Sequence, residues 1–256
     1  ADTRRVTGAV GRGRSLLAPA VAGQLVADVP VGVMLSGGLD SSTISALAAR
    51  SRGDGGFHTF SLAFDDKSHD ESEYARLMSR HLGTTHHEIA VLPEDVPRTL
   101  GQCIRHMGEP MADSAPLPLY LLAGKAKEHV TVLLSGEGGD ELFGGYSTYS
   151  AYEVRRLYRR LPGPVRRAIR GMVGLLPVSH RRLSFEFLAR RFVEGAESGV
   201  PESHFNWRRL LSEKQARNVL ANPGSARAHV APGQLFSDFF NNSTAPDQLA
   251  RLMEID

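Results

Sequence analysis

The sequence predicts an α/β fold, a Rossmann-like parallel sheet with helices on both faces, followed by a mainly helical region. Three observations carry this. Short apolar runs alternate with stretches of helical periodicity as far as Tyr146, which is the pattern of a parallel sheet with crossover helices. Two of those runs end in similar Ser-Gly turns, Ser36-Gly37-Gly38 and Ser135-Gly136. From Ser147 onward no comparable strand signal recurs, and a helical pattern is broken at Pro162-Gly163-Pro164, Pro177, Pro201, Asn222-Pro223-Gly224 and Ala231-Pro232-Gly233. The expected division is therefore an α/β domain over residues 1–146 and a helical extension over residues 147–256.

The elements follow in order. Val31–Leu35 is a short apolar strand, and Ser41–Arg50 places Ile44, Leu47 and Ala48 at helical spacing. Arg52-Gly53-Asp54-Gly55-Gly56 is a turn cluster, and Phe57–Phe64 reads as the second strand. Asp70–Leu82 is a helix with Tyr74, Leu77, Met78 and His81 on one face, ended by Gly83. Thr85–Val91 is the third strand, Pro93–Met107 and Pro118–His129 are helices, and Val130–Leu134 is the fourth strand. Ligands of such sheets sit beyond the carboxyl ends of the strands, where the strand order reverses.

Both Ser-Gly turns fall at such ends. In Val31-Gly32-Val33-Met34-Leu35-Ser36-Gly37-Gly38-Leu39-Asp40-Ser41-Ser42 an apolar strand meets a polar turn that opens into a helix. The unpaired N–H groups at a helix start make an anion site. Gly37 and Gly38 allow close approach of a phosphate, Ser36, Ser41 and Ser42 add hydroxyls, and Asp40 calls for a cation between itself and that phosphate. The other common phosphate loop, G-x-x-x-x-G-K-[ST], is absent, because Gly124-Lys125 is followed by Ala126. The second turn continues as Ser135-Gly136-Glu137-Gly138-Gly139-Asp140-Glu141-Leu142-Phe143-Gly144-Gly145-Tyr146. Its glycines let backbone wrap a ligand. Its carboxylates suit a metal or a proton-transfer task, with Asp40 and Asp140 gripping one Mg²⁺ and Glu137 facing the reacting centre.

The pair SGGLDSS and SGEGGDELFGGY resembles the synthetase domain of glutamine-hydrolysing asparagine synthetases, members of the PP-loop ATP pyrophosphatase superfamily with its adenine nucleotide alpha hydrolase-like fold. Asp70-Glu71, Tyr74-Ala75, Leu82-Gly83-Thr84, His86-His87-Glu88 and Pro118-Leu119-Tyr120-Leu121 are similar as well, and the likeness runs from Val21 to Tyr146 and more weakly to Asp256. The resemblance implies that ATP is cut between its α and β phosphates as it adenylates the side-chain carboxylate of aspartate, after which ammonia displaces AMP. It implies an ATP site of Leu35, Ser36, Gly37, Gly38, Asp40, Ser41, Ser42, Leu62, Ser135 and Gly136, a Mg²⁺ held by Asp40 and Asp140, and Glu137 as the catalytic residue. The family's glutaminase half starts with a catalytic cysteine, whereas this chain starts at Ala1 and its one cysteine, Cys103, lies in a helix. Ammonia is then expected from a missing domain, a partner or solution. The family also has a downstream basic segment with a phosphate-binding lysine, where this sequence reaches Asp256. The expectation is a fragment that turns over little alone. A ligase or cyclase acting on another carboxylate, or a nucleotide-binding remnant, stays open as an alternative, as does a homodimer.

Composition narrows the classes. With 256 residues, 41% hydrophobic and 23% charged, the chain can bury a sizeable core. No apolar run reaches the roughly 20 residues of a membrane helix. One cysteine excludes an internal disulfide, and the expected compartment is the cytoplasm. From Arg155 to Arg191 eleven arginines face one acid, Glu186. Without interleaved aromatics this reads as helix surface rather than a nucleic-acid interface. His86 and His87, adjacent on a strand, point to opposite faces and do not form a metal site with His81. Cys103 and Trp207 read as packing residues, and Asp113-Ser114 as either a helix cap or a substrate contact.

Overall fold

The computed structural model describes residues 3–53, 56–108, 113–179, 184–212, 215, 218 and 232–256. The breaks expected at Asn222-Pro223-Gly224 and Ala231 lie outside the described residues, as do Asp54 and Gly55 of the turn cluster and Arg181 and Arg182 of the basic stretch. The chain divides into two compact units, Ala1–Glu137 and Gly138–Asp256.

In the first unit, β1 (Val31–Met34), β2 (His58–Phe64), β3 (Thr85–Val91) and β4 (Val132–Leu134) form one sheet in the order β3-β2-β1-β4, with every pairing parallel. The chain moves outward from β1 through β2 to β3 and then returns to the other side of β1. The strand order therefore reverses between β1 and β4, and both Ser-Gly turns leave the sheet there.

Side-chain alternation assigns the two faces. Val33 and Phe57 meet Val21 of α1 (Thr3–Gln24) and Ala48 of α2 (Leu39–Arg52). Phe60, on the opposite face, meets Leu122 and Ala126 of α5 (Pro116–Ala126), and α4 (Asp95–Met107) packs on α5. Gly32 suits its central strand because a Cβ there would fall 2.8 Å from Cε2 of Phe60 and 3.0 Å from the His58 carbonyl oxygen. Cys103 is buried on α4.

Two features depart from the expected elements. Helix α1 carries no strong apolar period over its Arg- and Gly-rich start. It is placed by Val21, which joins Val33 and Phe57 in one buried cluster, with Leu17 and, just past the helix, Leu25 packed against it. The buried side of α3 (Ser72–Leu82) is small and polar, formed by Ser72, Ala75 and Ser79, while Tyr74 and Leu77 are 63% and 60% exposed. Small side chains bring α3 close to the sheet, where hydroxyls pair. Ser79 Oγ is 2.9 Å from Thr84 Oγ1, which is 2.8 Å from Thr59 Oγ1. His86 joins through Thr59 at 2.9 Å and Ser61 at 3.1 Å. Each buried polar group here meets a partner, the condition under which such a network is stable.

The second unit contains α6 (Gly139–Phe143), α7 (Ser147–Tyr158), α8 (Gly163–Gly174), α9 (Phe185–Gly195), α10 (Val200–Arg208) and two further helices, Pro232–Asn242 and Gln248–Ile255. Its core joins Tyr149, Tyr152, Tyr158, Ala196, Trp207, Phe240 and Leu252. Pro201 begins α10 rather than breaking a helix, because its missing N–H is lost where no intrahelical bond would form. Much of the arginine-rich stretch serves this unit's own architecture. Arg155 is 8% exposed and donates to the Ser198 carbonyl. Arg166 pairs with Glu197, Arg190 with Glu186, and Arg191 donates to the Arg209 carbonyl. Among the described residues no helix is long and apolar enough to cross a membrane.

Candidate active site

The first turn is built by its own serines. The Leu35 N–H donates to the Phe60 carbonyl at 2.8 Å, carrying the β1–β2 pairing one residue past β1. The Ser36 and Ser41 hydroxyl oxygens then stand 2.9 Å apart. Ser41 Oγ accepts the Ser36 N–H at 3.2 Å and lies 3.3 Å from the Gly38 carbonyl, while the Gly38 N–H donates to Ser36 Oγ at 3.2 Å. Ser41 is buried, Ser36 and Gly38 are exposed, and Asp40 and Ser42 are half-buried.

Gly37 has φ +82°, and a Cβ there would fall 2.5 Å from Tyr74 Cβ and 2.6 Å from the Ala75 nitrogen. A side chain at Gly37 would thus collide with the first turn of α3. Asp70 fixes that turn. Its carboxylate accepts the Phe64 N–H at 3.3 Å, the Ser72 N–H at 3.2 Å and the Ser72 hydroxyl at 2.9 Å. Burial pushes the Asp70 carboxyl upward, but the bonds from Ser72 and Phe64, with the charge of Arg76, hold it below the usual carboxylate range.

Gly38 is the N-cap of α2 in an extended conformation, and no side chain caps the helix. The first-turn N–H groups of a helix have no intrahelical partner and carry the positive end of its dipole. They are therefore free to hold an anion just beyond the Ser36 turn.

The second turn repeats the first. The Glu137 N–H donates to Ser135 Oγ at 3.3 Å, the same two-residue loop that Gly38 makes with Ser36. A Cβ on Gly136 would fall 2.7 Å from the Ser41 nitrogen and 2.9 Å from the Asp40 carbonyl carbon. The structure therefore lays the Ser135-Gly136 backbone directly against the first turn of α2. The carboxylates of Asp40 and Glu137 make no hydrogen bond or ion pair with the described residues, so both have lone pairs to offer a ligand. That donor set fits a hard cation beside a phosphate.

The two leucines differ. Leu35 is 1% exposed, a packed floor beneath the turn. Leu62 is half-buried beside the Phe60 cluster on the opposite face of the sheet, as the β1–β2 register requires.

Asp140 lies in the second unit, at the start of α6, so the two carboxylates named for Mg²⁺ stand on different units. Asp140 folds over the bare Cα of Gly145, where any Cβ would lie 1.9 Å from its Oδ1. Beyond it the motif is anchored by residues that carry no sequence signal of their own. The Tyr146 hydroxyl donates to Glu141 at 2.5 Å, and the Arg208 guanidinium lies 4.3 Å over the Tyr146 ring. Arg208 also donates to Asp256 Oδ2 at 3.0 Å, an atom that accepts the Tyr149 hydroxyl at 2.7 Å and lies 2.9 Å from His204 Nε2. Burial pushes the Asp256 carboxyl up, but His204, Tyr149 and Arg208 hold it below the usual range. Spacings of 52 and 107 residues hide this cluster from the sequence.

Asp113 accepts the Ala115 N–H at 3.0 Å in the turn ahead of α5, and the N-cap of that helix, Ala115, carries no side-chain cap bond.

The chain is similar to known proteins over most of its length. The asparagine synthase family matches residues 12–255. Asparagine synthetase 1 (glutamine-hydrolysing) of Bacillus subtilis (strain 168) is 37% identical over 158 residues, 60% of this chain and 24% of its own length. A putative glutamine-hydrolysing asparagine synthetase of Mycobacterium tuberculosis (strain ATCC 25618 / H37Rv) is 32% identical over 242 residues, 94% of this chain and 35% of its own. A second putative one, from Methanocaldococcus jannaschii, is 34% identical over 212 residues, 77% of this chain and 41% of its own. The chain thus spans about a quarter to two-fifths of the length of these relatives. With a match over nearly its whole length, the chain belongs to the asparagine synthase family.

Proposed function

We propose that this chain is the synthetase part of an ATP-dependent, amide-forming ligase that makes asparagine. The carboxylate of the aspartate side chain attacks the α phosphorus of ATP and pyrophosphate leaves, giving a β-aspartyl adenylate. Ammonia then attacks the acyl carbon and AMP departs. The observation that carries this reading is the contact of Gly136 with the first turn of α2, which joins the two Ser-Gly turns at the point where the strand order reverses.

Each residue has a task in this reading. The first-turn N–H groups of α2, with Gly37, Gly38 and Ser42, hold the pyrophosphate portion. Ser36 and Ser41 keep those donors in place through their mutual bonds. Ser135, Gly136, Leu62 and the backbone of Leu35, whose side chain is buried beneath the turn, border the nucleoside portion. Glu137, exposed and unpartnered among the described residues, orients ammonia and accepts its proton. Asp40 and Asp140 would hold Mg²⁺, which when bound would supply charge neutralisation to the phosphates. Fixed donors around a leaving group cost no reorganisation during the reaction, so positioning supplies most of the rate. Aspartate and ammonia are the small-molecule substrates, a glutaminase domain or partner is the ammonia source, and the cytoplasm is the setting.

The test is ATP–pyrophosphate exchange with a panel of carboxylic acids. Exchange that depends on aspartate, with asparagine and AMP formed one for one on adding ammonium, is the expected result. Exchange with a different acid alone reassigns the substrate. Tight ATP binding without exchange overturns the catalytic reading.

A further inference from the structure

A histidine cluster lies on the first unit, away from both turns. His58 opens β2, His87 is the third residue of β3, and His129 precedes β4. Alternation puts His87 on the face opposite His86, and the register sets it beside Phe60. His58 Nδ1 and His87 Nε2 are 2.9 Å apart. The His87 and His129 rings stack with centroids 4.0 Å apart, and the His58 and His129 centroids are 5.6 Å apart. One ring nitrogen from each of the three falls within 4.8 Å of the others. The turns at Ser36 and Ser135 leave the carboxyl ends of the strands, whereas these rings gather toward the amino ends.

We propose that His58, His87 and His129 form a binding site for one divalent first-row transition-metal ion, of which zinc is the most readily available. Imidazole nitrogens hold such ions at about 2.0–2.1 Å. Ligands on one ion are then about 3.3 Å apart, a spacing that small ring rotations reach from the observed one. His129 is exposed, which leaves room for water or a small anion as a further ligand.

The surroundings select the metal. The Phe60 ring is 4.9 Å from His87, and the neighbouring acid, Glu128, is engaged by Lys125 at 3.1 Å. An all-nitrogen set suits zinc, copper or nickel and not magnesium or calcium, which take oxygen. The ion would tie β2, β3 and the segment leading into β4 together, because each supplies one ligand.

The test uses the chain stripped with a chelator and titrated with Co²⁺ and then Zn²⁺ in excess Mg²⁺, which fills oxygen-donor sites. The expected result is one equivalent of Co²⁺ with visible d–d bands, displaced by Zn²⁺, and a Zn²⁺-dependent rise in Tm. His129→Ala and His58→Ala should each weaken binding by about tenfold or more while retaining the far-UV spectrum. His81→Ala, at an exposed position on α3, is the control and should bind as the parent does. Absence of a one-equivalent site overturns the proposal, as does a site unchanged in both His129→Ala and His58→Ala. Because the readout is metal binding rather than activity, it stands or falls apart from the ligase reading.

Discussion

Gly136 sits so close to Ser41 that a single added carbon would fall 2.7 Å from the Ser41 nitrogen. Two turns from strands about 100 residues apart in sequence share one van der Waals surface.

Gly136→Ala should therefore push the second turn away from α2. Backbone on both sides gives little room to yield, so a loss of about 1–3 kcal/mol in stability is expected. Pyrophosphate exchange should fall by more than that loss explains, because donors on both turns move. Comparing exchange rates with urea-unfolding midpoints separates the two effects. Unchanged exchange would show that the contact is only structural.

Ser41→Ala removes the acceptor of the Ser36 N–H and the partner of the Ser36 hydroxyl. A weakening of ATP binding by about 1–2 kcal/mol is expected from hydrogen bonds of this kind. Ser36→Ala should weaken it similarly. The double variant should be less than additive, because the two hydroxyls serve one network. Additive losses by calorimetry would mean that each serine touches the nucleotide independently.

Much of this was legible in the sequence, for identifiable reasons. A parallel strand that ends in Ser-Gly is written in consecutive residues, so β1, β4 and both turns could be read directly. Helix α1 could not, because its docking depends on Phe57 and Val33 rather than on its own composition. The small buried face of α3 misled in the opposite sense, since Tyr74 and Leu77 carry the apolar pattern but face solvent. Alternation separates His87 from His86, but only strand order joins it to His58 and His129. The Asp256 cluster is likewise a product of helix packing. No local signal marks residues brought together from 52 positions away.

Asp40→Asn tests the metal assignment. The carboxylate has no partner among the described residues, so the amide should leave the fold intact, within about 0.5 kcal/mol. The Mg²⁺ concentration that half-saturates exchange should rise by about tenfold or more. Asp140→Asn should do the same. An unaltered Mg²⁺ dependence in either variant removes that residue from the metal site.

Asp256 gives a pH prediction. Its carboxyl titrates below its usual value in the folded chain, so the folded state binds the proton less readily than the unfolded state does. Stability from this group is therefore fully present above the ordinary value of 3.8 and is lost as pH falls through the lowered one. Asp256→Asn should lower Tm at neutral pH, and the difference from the parent should shrink on acidification through that range. A constant difference down to strong acid would show that the charge contributes nothing.

The hydroxyls of Ser36 and Ser41 are committed to each other and to the turn before any ligand arrives. The entropy of ordering this loop is thus lost during folding and is not charged against nucleotide capture. Affinity and local rigidity become two readings of one free energy. A substitution remote from the nucleotide that lets the β1–α2 junction open more often, seen as faster amide hydrogen exchange there, should weaken nucleotide binding by the same factor that it lowers the closed fraction.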